Sequence, residues 1–85
     1  MYIKTVSINI SNGIHARPAA KFVKLAKSFF SEIKIIANNQ EENAKSILGI
    51  QSLGITKGTE IKICANGTDE KKAVNSLIEL IKKLK

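Results

Sequence analysis

Polar and apolar positions alternate from Tyr2 to Ile10, with Tyr2, Val6, Ile8 and Ile10 on one parity, which predicts a half-buried strand. Ser11–Gly13 breaks the alternation. From Ala16 to about Ser28 the period becomes helical, carried by Ala19, Phe22, Val23 and Ala26. Pro18 falls in the first turn of that helix, where its missing N–H has no partner to lose. Alternation returns in "EIKIIAN", with Ile33, Ile35 and Ala37 facing inward, and polar "NNQEE" turns the chain toward a short edge strand.

"KSILGIQSLG" predicts a short helix capped by Ser46 and closed by Gly54, with Ile47, Leu48, Ile50 and Leu53 as its apolar face. "TEIKICAN" is a further strand, with Ile61, Ile63 and Ala65 on one side, and Asn66–Gly67 turns the chain. From Thr68 to the end runs the strongest helical pattern. Thr68 is its expected cap, Asp69 and Glu70 lie in its first turn, and Lys82, Lys83 and Lys85 in its last, matching the helix dipole. Ala73, Val74, Leu77, Ile78, Ile81 and Leu84 form its buried stripe. The order β-α-β-(β)-α-β-α, with strands that alternate, predicts an α+β fold: a mainly antiparallel sheet with every helix on one face.

At 85 residues and 44% apolar composition the chain is expected to form one domain, residues 1–85, with a modest core. The single cysteine cannot form an internal disulfide and suits a reducing cytosol. The sequence lacks an apolar run of membrane-spanning length and a signal-peptide layout, so a soluble cytoplasmic protein without a membrane partner is expected. The net charge of +7 implies an anionic partner. A nucleic-acid-binding module is disfavoured: the aromatics are one Tyr and three Phe, none forms a stacking platform on a strand, and no GXXG clamp is present.

Candidate chemistry concentrates in "GIHARPAA", which holds the sole histidine and the sole proline. His15 lies where a loop feeds the start of the first helix, a place of free N–H groups and positive dipole. Arg17 adds a permanent cation with forked donors suited to phosphate. Both features disfavour imidazolium, so His15 is expected to titrate below its reference of about 6.5 and to be neutral and nucleophilic at pH 7. A phosphoryl group taken onto the ring would land on the helix donors and Arg17. The same position suits a histidine with only a structural role, and the residues alone leave both readings open.

Taken together, "GIHARPAA", "KSILGIQSLGI", "KGTEIKICANG" and "DEKKAVNSLIELI" resemble the HPr family of histidine-containing phosphocarriers over the whole chain. The resemblance implies an open-faced β-sandwich, a four-stranded antiparallel sheet with three helices on one face. It implies that His15 is phosphorylated on Nδ1 by enzyme I, with phosphoenolpyruvate as source, and that the group passes to enzyme IIA domains of sugar transporters. Arg17 is then the charge partner and Pro18 sets the helix start. No cofactor or metal is expected, the chain is a carrier and not an enzyme, and a monomer is expected. A nitrogen-branch regulatory paralogue, phosphorylated at the same histidine, is the alternative within the family.

The family also carries a regulatory serine, onto which Ser46 falls. In some bacteria an ATP-dependent kinase/phosphorylase modifies it, weakening transfer from enzyme I and promoting binding to a catabolite-control transcription factor. Serine is also a preferred cap in its own right. Gln51 and Glu42 depart from residues often apolar in relatives, which bears on recognition of Ser46, and Asn12 stands where many relatives have a hydroxyl residue. The expected partner surface comprises Asn12, Ala16, Ala20, Lys21, Lys24 and Lys27, the lysines forming a stripe with Arg17, together with Ile47, Leu48 and Gln51. Such rim charges mainly raise association rate and salt sensitivity. Cys64 lies on the parity opposite Ile61, Ile63 and Ala65, and no chemistry is expected of it.

Overall fold

A computed structural model describes residues 1–10 and 16–84. Four strands, β1 (Tyr2–Ser7), β2 (Glu32–Ala37), β3 (Gln40–Asn43) and β4 (Glu60–Asn66), alternate with three helices, α1 (Ala16–Lys27), α2 (Ile47–Ser52) and α3 (Glu70–Lys83). The strands form one sheet in the order β1-β4-β2-β3, and each neighbouring pair is antiparallel.

Register assigns the two faces. Ile33 pairs with Ala65 and Ile35 with Ile63, and all four side chains are buried. Facing residues in a ladder project to the same side, so this side is the one the helices cover. Phe22, Val23 and Ala26 of α1, Ile50 of α2 and Val74, Leu77 and Ile81 of α3 complete the core. On the other side run Ile3, Cys64, Lys34 and Asn43 in one row and Thr5, Lys62, Ile36 and Glu41 in the next. That side is open, and Lys34 and Glu41 form an ion pair across it at 3.3 Å. The open-faced sandwich with three helices on one face is the architecture expected from the alternation of the strands.

The structure differs from the periodicity at three places. β1 stops at Ser7, short of Ile10. Ile8 is still hydrogen-bonded, from its N–H to Thr59 O at 2.9 Å and from its carbonyl to Gly58 N at 2.7 Å, but to a turn and not to a strand. Ile8 and Ile10 remain buried, so the parity holds where the ladder does not. In α2 the expected apolar face is split. Ile50 and Leu53 are buried, whereas Ile47 and Leu48 are exposed, the latter by 79%. A helix of six residues has only one side against the rest of the fold, and Gly49 and Ile50 occupy it.

The third difference is the start of α3, where the cap position is Asp69, not Thr68. Asp69 makes no capping bond with its side chain. Its carboxylate accepts instead from Phe30 N at 2.9 Å, Ser31 N at 3.0 Å and Ser31 Oγ at 2.5 Å. These bonds, led by the Ser31 hydroxyl and then the Phe30 amide, hold the Asp69 carboxyl below the usual carboxylate range. Ser31 is fully buried, so Asp69 supplies the partner its hydroxyl requires. Gly67 makes this closeness geometrically feasible: a Cβ there would lie 2.7 Å from Ser31 Cα.

At the other end of the molecule the β2–β3 turn uses Asn38 and Asn39 in left-handed conformation, which Asn tolerates well. Asn38 Nδ2 donates to Leu53 O at 2.9 Å, fastening that turn to the end of α2. Gly54, at φ +63°, reverses the chain directly afterwards.

Candidate functional site

The first turn of α1 carries no acidic residue. Arg17 is exposed there, and Pro18, third in the helix, is buried against the core. Pro18 removes a donor that a first turn leaves unused and fixes the backbone entering the helix. Exposed Lys21 and Lys24 follow Arg17 by four and seven residues, so one ridge of α1 is cationic along its length. Lys24 and Lys27, in the last turn, also complement the negative end of the helix dipole. Ala20 is exposed on the same side of the helix. His15 and Asn12 lie outside the described residues, as does the side chain of Ala16.

α2 packs directly against α1. Ser46 is its cap, as the sequence predicts: with extended backbone (φ −117°, ψ 118°), its Oγ accepts from Gly49 N at 3.0 Å. Exposed Ile47, Leu48 and Gln51 therefore lie on the element next to the cationic ridge. Ile47 and Leu48 face solvent because the short helix spends its buried side on Gly49 and Ile50. Basic ridge and apolar patch thus belong to two touching helices. A surface of that composition suits an acidic partner with a small apolar centre.

Elsewhere the structure supplies little reactive chemistry. Cys64 is half-buried on the open face of the sheet, and burial, with the Glu41 charge adding to it, pushes its thiol up. A thiol raised in this way is mostly protonated at neutral pH and unreactive. Among the described residues, no three His, Cys, Asp or Glu side chains are grouped to hold a metal ion. No described helix is long and apolar enough to cross a membrane.

Two features escaped the sequence pattern. Asp69 reads as a first-turn acid and is in fact a clamp on the α1–β2 connection, with its partners 38 and 39 residues away. Glu42 reads as part of a polar turn, yet it pairs with buried Ile35 and so projects toward the covered side of the sheet. Assigning Glu42 to a face from sequence requires the β2–β3 register, and the Asn38–Asn39 pair that sets it was the available signal.

Comparison with known proteins gives this geometry its context. Residues 3–83 match the family model PTS-HPr, described as the PTS HPr component phosphorylation site. Over 81 residues the chain is 49% identical to the phosphocarrier protein HPr of Haemophilus influenzae, covering 95% of each chain. A crystal structure of HPr from Thermoanaerobacter tengcongensis superimposes with a TM-score of 0.93 at 45% identity, over 96% of this chain and 92% of that one. HPr from Bacillus anthracis gives a TM-score of 0.90 at 40% identity, with 93% and 94% covered. With a family match spanning nearly the whole chain, near-complete alignment to curated relatives and the same open sandwich in solved structures, the chain belongs to the HPr family, the phosphocarrier proteins of the phosphotransferase system, which carry a phosphoryl group and are not themselves enzymes.

Proposed function

We propose that His15 is the phosphoryl acceptor of this carrier, through Nδ1, and that Arg17 is the charge partner of the group once bound. In this reading phospho-enzyme I, charged from phosphoenolpyruvate, is the donor and enzyme IIA domains of sugar transporters are the receivers. The imidazole lone pair forms the N–P bond as the bond from phosphorus to the donor breaks. The phosphoryl oxygens then meet Arg17 and the start of α1. The observation that carries the reading is the start of α1: an exposed guanidinium, a buried Pro18 and no carboxylate in the first turn, immediately after the chain's sole histidine. A carboxylate there would repel an incoming phosphoryl group, and none is present.

In the same reading the docking face comprises Asn12, Ala16, Ala20, Lys21, Lys24 and Lys27 with Ile47, Leu48 and Gln51. Its exposed members in α1 and α2 lie on touching helices. Ser46 is the regulatory hydroxyl, open to an HPr kinase/phosphorylase, beside that face. The protein acts as a cytoplasmic monomer, a single domain over residues 1–85, with no cofactor, nucleic-acid or membrane partner.

Incubation with phosphoenolpyruvate and purified enzyme I, followed by intact mass, tests the assignment. The expected result is a gain of one acid-labile phosphate that is absent in His15→Ala. A gain that persists in His15→Ala would place the phosphate elsewhere.

A further inference from the structure

The covered side of the sheet carries one acidic side chain at its β3 edge, and this side chain lies against the first turn of α2, the helix that Ser46 caps. Glu42 shares its face with Ile35, while its neighbours Glu41 and Asn43 project to the open side. Half-buried, it lies beneath the first turn of α2. A Cβ on Gly49 would come 2.9 Å from Glu42 Oε1, 3.3 Å from Glu42 Cβ and 3.3 Å from Ser46 Cβ. The Glu42 carboxylate and the Ser46 side chain therefore flank the same point of that turn. Gly49 is the residue that leaves room for both.

No cation neutralises this carboxylate among the described residues. The ion pairs there join Lys34 to Glu41 and the Met1 ammonium to Glu70. Lys45, next to Ser46, spends its Nζ on Phe29 O at 2.9 Å. A neutral hydroxyl on Ser46 coexists with Glu42 at little cost, since it only accepts the Gly49 N–H. A phosphoryl group on the same oxygen would bring up to two negative charges into a half-buried turn that already holds one. Like charges at side-chain range in such a setting repel and disfavour the ionised form.

We propose that Glu42 sets the electrostatic cost of placing negative charge on Ser46, so that in this chain the α2 cap is biased toward the unmodified hydroxyl. The inference deepens the reading of Ser46 as the regulatory residue and rests on it. It makes the modification self-limiting: a phosphate on Ser46 is held toward its monoanion, and its bond to the first turn of α2 is opposed by Glu42. Ile47 and Leu48, the next two residues and part of the docking face, are the first to feel that opposition.

The test uses full-length protein carrying phosphoserine installed at position 46 during synthesis, with phosphorus NMR titration in three backgrounds. The second ionisation of the phosphate is expected about half to one pKa unit lower in Glu42→Gln than with Glu42 present. Glu41→Gln removes the same charge one residue away but on the open face, and is expected to leave the ionisation where it was. Urea unfolding supplies an independent readout: Ser46→Asp should lower the folding equilibrium constant about fivefold more with Glu42 than with Glu42→Gln. Equal ionisation with and without the Glu42 charge, or an equal shift in Glu41→Gln, overturns the proposal. The charge is installed without a kinase, so the outcome is independent of whether one recognises this chain. Failure of an HPr kinase to modify Ser46 while modifying a control HPr would count against the regulatory reading alone.

Discussion

The starts of α1 and α3 answer the same physical problem in opposite ways. Each helix begins with amide donors that no helical carbonyl can satisfy. At α3 the chain places two carboxylates beside the positive end of the helix, although both take their hydrogen bonds from groups outside it. Glu70 Oε1 accepts from Gly67 N at 3.2 Å, and Glu70 Oε2 meets the Met1 ammonium at 3.1 Å. The ammonium hydrogen bond, and then the Gly67 amide, hold the Glu70 carboxyl below its usual range. Asp69 beside it is engaged by Phe30 and Ser31. At α1 the first turn has no acid and an exposed arginine. A helix start furnished with carboxylates serves the fold, whereas one furnished with a guanidinium suits an anion that arrives from outside. α2 stands between them, capped by a neutral hydroxyl.

Charge reversal at the α1 start is the most severe way to break this comparison. Arg17→Glu gives α1 the acid that α3 has, and the rate of phosphoryl acceptance from enzyme I is expected to fall about 100-fold. Stability should change little, within about 0.5 kcal/mol, because Arg17 is exposed. Loss of stability equal to the loss of transfer would show that the two helix starts are not specialised.

The converse change is Asp69→Asn, which weakens the acceptor for the buried Ser31 hydroxyl and the amides beside it. The thermal midpoint should fall by about 5 °C, with phosphoryl acceptance unchanged. The pH dependence has a fixed sign. The folded-state pKa of Asp69 lies below its unfolded value, so its contribution is complete above that unfolded value, near pH 4. It is lost as pH falls through the folded-state value. The gap between wild type and Asp69→Asn, measured by urea unfolding, should therefore be constant near neutrality and shrink on acidification below pH ~4.

Ser46→Ala probes the intermediate case. Loss of the cap bond to Gly49 N should cost about 1 kcal/mol in urea unfolding, while His15 remains phosphorylatable. The smallest effect is expected from Lys24→Gln on the α1 ridge. The association rate with enzyme I should drop about threefold at low salt, and the difference should vanish at high ionic strength. A defect that salt does not remove would mean that Lys24 makes a desolvated contact in the complex.

The element order and the covered face were legible because they rest on local periodicity. Ile33, Ile35, Ile61 and Ile63 announce their parity within a few residues, and Ser46 announces a cap by its type and position. What escaped depends on partners far away in the chain. Thr68 is as good a cap as Asp69 until Ser31, from another part of the sequence, needs an acceptor. By periodicity alone Ile47 and Leu48 join the apolar face of α2, although the family resemblance already places them on the partner surface, and only one side of the helix can be buried. Glu42 looks like a turn residue until the register turns it inward. The candidate site is legible as chemistry in His15 and Arg17, and as a surface only once α1 and α2 are seen to touch.

The order β1-β4-β2-β3 has a consequence for how the chain is made. Both central strands must be present for the sheet to exist, and one of them, β4, is the last of the four to be synthesised. A nascent chain that has emerged only as far as Asn43 can form the β2–β3 hairpin, but its β1 has no strand to lie against. Completion of the sheet therefore waits for residues 60–66, the strand that joins β1 to β2. β1, the first strand made, thus finds its neighbour only after every other strand of the sheet has been made.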